Sequence, residues 1–229
     1  MSYYPISCQT SWEIRPSQKN DLVHISRIFL AGFSQSVLHY VGGHSSGIER
    51  ALQDIFAAIW EYQPQGLLVA DAQGCIAGYI IAIPNMGKLW WHVIRRGHGW
   101  QWTKRWLQGE YGIGIVQVSS LARNKLGFAL AQIQLNSRMP RYQGHTAQIL
   151  SIAVHPRCRG QGVGRALLQK ALKYLATTSA TFVKLEVRPD NFPARRLYES
   201  AGFVAVSTTQ DSQGPWVVML KPLRGESPT

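Results

Sequence analysis

Acidic residues are scarce in this chain: 12 Asp and Glu stand against 24 Lys and Arg in 229 residues, a formal net charge of +12. The scarcity is local. Between residues 72 and 185 a single acid, Glu110, faces 15 Lys and Arg, whereas the remainder carries nine cations and 11 acids. One central segment therefore holds the whole positive excess. Such a segment fits an anionic partner (phosphate, nucleic acid or membrane lipid) or, more plainly, a solvated basic face. Cysteine is also sparse. Cys8, Cys75 and Cys158 are odd in number, widely spaced and form no CxxC pair, so neither a disulfide framework nor a cysteine zinc site is indicated. No apolar run approaches the roughly 18–20 residues of a membrane span. The opening "MSYYPISCQTSWEIR" lacks the basic-then-apolar layout of a signal peptide, and the expectation is a cytoplasmic protein. With 45% hydrophobic and 16% charged residues, the composition excludes wholesale disorder and suffices for one well-buried domain.

Periodicity gives a mixed α/β pattern. "SWEIRPS" reads as a first strand, and the apolar positions from Asn20 to about His39 recur at helical spacing. "SSGIERALQDIFAAIW" is a second amphipathic helix with Ser46 as its cap. "GLLVAD" and "CIAGYIIAI" form a hairpin that Pro84 ends. In the second half, "AQILSIAV" is a buried strand, and Leu167, Leu168, Ala171, Leu172 and Leu175 mark one helical face. "TFVKLEV" is another strand, and "NFPARRLYESAGF" a short helix capped by Asn191 and ended by Gly202. "FVAVST" and "PWVVMLK" are two closing strands. Residues 85–145 are less regular. They hold five of the eight tryptophans beside Lys88, Arg95, Arg96, Lys104 and Arg105, with Gly97 and Gly99 interrupting the helical spacing, and "SSLARNKLGFALAQIQLNSR" is expected to be partly helical.

The most informative stretch is "RCRGQGVG", residues 157–164, set between the strand "ILSIAV" and the helix "RALLQKALKYLA". Backbone amides at a helix N-terminus lack partners and carry partial positive charge. Glycines let that backbone approach an anion closely, and Arg157, Arg159 and Arg165 add charge. The turn thus suits a diphosphate. It lacks the Gly-Lys-Ser/Thr ending of an ATP-binding loop and the GxGxxG spacing of a dinucleotide fold. A tight strand–helix connection is the plain alternative.

"ILSIAVHPRCRGQGVGRALL" resembles the signature of the GCN5-related N-acetyltransferase (GNAT) superfamily, Arg/Gln-x-x-Gly-x-Gly/Ala, met by Arg159, Gly162 and Gly164. "LEVRPDNFPARRLYESAGF" resembles the family's second block, and the opening "SWEIRPSQKNDLVHISRIF" looks like a family opening. The second half is similar to bacterial ribosomal-protein N-terminal acetyltransferases. The resemblance covers the chain apart from roughly residues 85–145. It implies one α/β domain over residues 1–229, a GNAT fold with a mixed, mostly antiparallel twisted sheet flanked by helices. Residues 85–145 would be an insertion between the central hairpin and the cofactor strand. It further implies acetyl-coenzyme A (acetyl-CoA) as cosubstrate with no metal. The diphosphate would be held by Arg159, Gly160, Gln161, Gly162, Val163, Gly164 and Arg165, and the pantetheine arm by Ile152, Ala153, Val154 and Asn191.

Acetyl transfer to an amine needs a neutral amine, stabilisation of the oxyanion and a proton for the departing thiolate. Tyr198, seven residues or about two turns after Asn191, is the candidate acid. Its alternative is a helix tyrosine packed on the sheet. Many family members carry a carboxylate on the strand before the turn. Here that region has Gln148, whose amide accepts no proton, and no acid lies between Tyr111 and Leu185. Glu186 is the candidate base by resemblance, through water, or else a strand carboxylate paired with a neighbouring arginine. His145 is a second candidate. The acceptor is expected to be a small-molecule or peptide amine, and the chain a monomer or homodimer. Residues 88–106 are expected either to contact an anionic surface or to pack as a satellite core. A non-enzymatic acyl-CoA-binding module, anchored to membrane or nucleic acid by this basic segment, is the competing function.

Overall fold

A computed structural model describes residues 11–43, 45–115, 117–119 and 145–223. The expectation of helix within "SSLARNKLGFALAQIQLNSR" falls outside them, Ser119 excepted. Among the described residues seven strands form one sheet in the order β1-β2-β3-β4-β5-β7-β6. They are β1 (Glu13–Pro16), β2 (Leu67–Ala72), β3 (Cys75–Ile83), β4 (Thr146–Val154), β5 (Phe182–Val187), β6 (Val204–Asp211) and β7 (Gly214–Pro222). Every neighbouring pair is antiparallel except β4 and β5, which are parallel. A parallel pair needs a crossover, and helix α6 (Val163–Ala176) supplies it. Further helices among the described residues are α1 (Leu22–Gly32), α2 (Ser34–Val41), α3 (Ser46–Tyr62), α4 (Met86–Arg95), α5 (His98–Leu107) and α7 (Phe192–Ser200).

Helices cover both faces of the sheet. On one face, Leu167, Leu168, Ala171 and Leu175 of α6 meet Leu68, Ile80, Val183, Leu185 and Met219, with Tyr198 and Phe203 in the same core. On the other, α1, α3 and α4 bury Ile25, Phe56 and Leu89 against Leu67, Val69, Tyr79 and Ile81. Strand alternation sends successive side chains to opposite layers, which is why β2 and β3 read as unbroken apolar runs.

Four expectations are corrected. The helical periodicity of Asn20–His39 is divided between α1 and α2, because Phe33 leaves helical dihedrals at φ −118°, ψ 29°. The cap of α3 is Ser45, whose side chain accepts a hydrogen bond from Ile48 N at 3.2 Å, and Ser46 is the first helical residue. Residues 86–107 are two helices broken at Arg96 and Gly97 (Gly97 φ 73°), with Gly99 inside α5. Cys75 is a free thiol, whereas the buried Cys158 is disulfide-bonded, a pairing that the spacing did not announce.

Candidate active site

The site begins with a defect in β4. Ile81 pairs with Ser151 and Ala82 with Ile149, so Leu150 is an extra residue on β4, a β-bulge. Its effect appears in the side-chain parity. Ala147 and Ile149 before the bulge, and Ile152 and Val154 after it, all pack towards α6, while Leu150 and Ala153 face the other layer. Across the sheet, β4 pairs with β5 only over Thr146–Gln148, opposite Phe182–Lys184. From Ile149 onward the strands part, and a gap opens beside Ile152, Ala153 and Val154. Ser151, next to the bulge, shares a 2.7 Å hydrogen bond with the buried Tyr79 hydroxyl, which fixes the bulge to β3.

Beyond Val154 the chain turns through His155–Gly162 into α6. Gly160 and Gly162 have φ of 77° and 82°, a left-handed region that L side chains rarely adopt, yet a Cβ at either would meet nothing within 4 Å. Conformation, not crowding, calls for glycine at these two positions. Gly164 differs, for a Cβ there would reach only ordinary contact with Leu197 and Val154, at 3.5 and 3.6 Å. That agrees with the Gly/Ala choice expected there. The first helical bond of α6 runs from Ala166 N to Gly162 O, so the amides of Val163, Gly164 and Arg165 have no helical acceptor. Arg157, Arg159 and Arg165 are exposed around this end. Arg159 Nε donates to Val154 O at 3.3 Å, linking the turn to the end of β4. His155, which sequence reasoning passed over, accepts from Arg157 N through Nδ1 at 3.4 Å. Its pKa is lowered by burial and by the charges of Arg157 and Arg159, so the ring is neutral at physiological pH.

The catalytic candidates lie on two faces of the sheet. Tyr198, on α7, is buried in the α6-side core with its ring 6.0 Å from that of Phe203. Burial alone pushes its pKa up to about 12. Glu186 of β5 alternates with Val183, Leu185 and Val187, which point into that core, and therefore faces the opposite side. Lys184 Nζ lies 3.2 Å from Glu186 Oε1, and Lys184 stands in register with Gln148 where the strands part. The sequence had offered an arginine as the structural partner of Glu186; the neighbour is this lysine. Asn191 caps α7, its side chain accepting from Ala194 N at 3.2 Å. His145 is exposed, and its carbonyl accepts from Thr181 N at 2.8 Å, so the paired residues Thr146–Gln148 separate it from the gap.

Two further groupings were invisible in the sequence. Asp211 accepts hydrogen bonds from Tyr40, Arg188 and Trp216, and the Arg188 guanidinium lies 3.9 Å over the Trp216 ring. This ties α2 and the residue after β5 to the β6–β7 hairpin. Glu61, His92 and His98 bring ligand atoms within 4.8 Å of one another, the one such group found among the described residues. His98 Nε2 and Glu61 Oε2 are 3.2 Å apart, and His98 stacks on Trp102. The group joins α3, α4 and α5 and includes no residue of the gap.

A parallel pair that splays at a bulge, beside a glycine turn entering a helix, is a specific arrangement. The model of the Acetyltransferase (GNAT) family matches residues 96–203. The ribosomal protein bS18-alanine N-acetyltransferase of Salmonella typhimurium is 31% identical over 114 residues, 49% of this chain and 71% of that protein. The chain belongs to the GNAT family. Solved GNAT structures share its fold. The bS18-alanine N-acetyltransferase of Escherichia coli superposes with a TM-score of 0.51 at 18% identity, covering 95% of this chain and 97% of the other. The structure of yncA from Salmonella typhimurium with its cofactor acetyl-CoA gives 0.57 at 16% identity, covering 96% and 98%. This GNAT protein is thus an acetyl-CoA-dependent acyltransferase. Its own residues fit the cosubstrate: three helical amides without acceptors and three exposed arginines suit a diphosphate, and the parted edge of β4 suits an extended amide-bearing arm.

Proposed function

We propose that this GNAT enzyme transfers an acetyl group from acetyl-CoA to a primary amine by direct attack. The observation that carries the reading is the two-sided gap between β4 and β5, with Tyr198 on one face of the sheet and Glu186 on the other. Acetyl-CoA supplies the acetyl group and a thiolate leaving group. The turn from Arg159 to Arg165 holds its diphosphate, and Ile152, Ala153 and Val154 with Asn191 hold the arm. Glu186, positioned by Lys184, receives the proton of the incoming amine through water. The N–C bond then forms as the C–S bond breaks, and Tyr198, neutral up to about pH 12, gives its proton to the sulfur. Placing base and acid on opposite faces separates the group that must accept a proton from the one that must keep its own.

The acceptor is a peptide or small-molecule amine. A peptide N-terminus and a cytoplasmic setting are favoured by the likeness to the bS18-alanine enzymes. Residues 85–145 are read as an insertion in one acetyltransferase domain. The test is release of free thiol from acetyl-CoA with a panel holding an N-terminal alanine peptide, lysine, an amino sugar and a polyamine. Thiol release that depends on one of these amines is expected. A folded chain that binds coenzyme A but releases no thiol above hydrolysis with any of them overturns the reading in favour of an acyl-CoA-binding module.

A further inference from the structure

The five tryptophans of α4 and α5 divide into two groups. Trp102 packs against the core of the α1/α3 layer, and Trp106 Nε1 donates to Ile113 O at 2.7 Å. Those two make the satellite packing that the sequence offered as one alternative. Trp90, Trp91 and Trp100 do not. They are 58%, 63% and 74% exposed, and Ile94 and Leu107 beside them are 68% and 72% exposed. On α4, Trp90, Trp91 and Ile94 occupy the side away from the buried Leu89 and Val93. On α5, Trp100, Lys104 and Leu107 follow one another at i, i+4 and i+7, a single stripe. Leaving side chains of this size in water costs about 1.5–3 kcal/mol each relative to full burial. Five on two consecutive helices form a concentration that folding does not explain.

The cations on the same helices divide likewise. Arg105 places Nη1 2.6 and 2.7 Å from the two oxygens of Asp54, which also accepts from Tyr111. It holds α5 to α3 and leaves the group of five free cations expected from the sequence. Lys88, Arg95, Arg96 and Lys104 are exposed, and no acid pairs with them among the described residues. No acid occurs in either helix. The Arg105–Asp54 contact and the Glu61–His98 contact seat α5 on α3, so the exposed stripes are presented by helices already fixed in place.

We infer that α4 and α5 form a docking surface for an anionic lipid bilayer, on which Trp90, Trp91, Ile94, Trp100 and Leu107 enter the interfacial layer while Lys88, Arg95, Arg96 and Lys104 meet lipid phosphates. Tryptophan favours the headgroup level, and basic side chains beside it answer the negative surface potential. A single-stranded nucleic acid would use aromatic faces and cations but has no use for Ile94 and Leu107, which a bilayer accommodates. No described helix is long and apolar enough to cross a membrane, so the contact lies along the surface. The inference is independent of the acetyl-transfer reading, since none of these residues belongs to the gap or the glycine turn.

The test is flotation of the full chain with phosphatidylcholine vesicles, with and without phosphatidylserine, while tryptophan emission is followed. The chain is expected to float with the anionic vesicles only, with a blue shift, and to be released as salt rises. Changing Lys88, Arg95, Arg96 and Lys104 to Gln should weaken partitioning on the order of 10²–10³-fold. Trp91→Ser with Trp100→Ser should abolish the blue shift and the flotation. Each variant should keep its affinity for coenzyme A, because none of the altered side chains belongs to the gap or the glycine turn. Absence of flotation by the folded parent chain, or flotation that survives the tryptophan changes, overturns the inference. Binding of a single-stranded oligonucleotide that displaces the chain from vesicles, and is lost with the same tryptophans, assigns the surface to nucleic acid and overturns it equally.

Discussion

Tyr198 is a neutral phenol in an apolar setting, and that combination defines what it can do. Burial raises its pKa to about 12, so it offers a proton across the physiological range and does not set the alkaline limb of the rate profile below that value. Tyr198→Phe keeps the ring against Phe203 and removes only the proton. The expected outcome is a fall in kcat of roughly 10²–10⁴-fold with coenzyme affinity unchanged, read by steady-state kinetics and calorimetry. An unchanged kcat with a good amine means that the sulfur takes its proton elsewhere. Its position was legible because Asn191 before α7, Tyr198 within it and Gly202 after it keep a set local spacing, and local spacing survives in sequence. Ser151 was not legible, because it acts through Tyr79, a neighbour across the strands that the sequence does not display.

At the scale of elements, the glycine turn and the bulge do different work. The turn presents amides without helical acceptors beside exposed arginines, and its glycine pattern announces the turn. Gly162→Asp places a strained residue and a negative charge at the N-cap of α6, where three amides await an acceptor. Coenzyme A binding by calorimetry should become undetectable while circular dichroism shows the fold retained. Unchanged affinity in the folded variant places the diphosphate somewhere else. The bulge was hidden because "ILSIAV" is apolar at nearly every position. A strand buried on both faces shows no alternation to reveal where its parity changes. The break at Phe33 was hidden for a related reason: apolar spacing continues across it, and only the backbone dihedrals mark the end of α1. Sequence pattern therefore displayed the elements and the glycine turn, and concealed the irregularities within and between them.

For the whole molecule, the tie around Asp211 joins parts that are far apart in the chain, with Tyr40 and Asp211 separated by 171 positions. No local pattern foretells such a contact. Burial alone would raise the Asp211 pKa. Hydrogen bonds from Trp216, Gln213 and Tyr40 and the charge of Arg188 outweigh burial, and its pKa is lowered below the usual carboxylate value. A carboxyl whose pKa is lower in the folded than in the unfolded state stabilises the fold above its unfolded pKa, about 3.9, and loses that contribution as pH falls through the folded value. Asp21, held by Arg15 at 2.7 Å and also lowered despite burial, acts with the same sign. Asp211→Asn keeps an acceptor oxygen and removes the charge from a side chain that is 11% exposed. At neutral pH it should lower unfolding stability by about 1–3 kcal/mol, measured by urea denaturation. The difference from the parent should shrink steadily below about pH 4, because the parent carboxyl is then taking up the proton that the variant never exchanges. A difference that persists undiminished into that acid range means that Asp211 acts through shape and hydrogen bonding alone, and that the Arg188 charge contributes nothing to holding α2 against the β6–β7 hairpin.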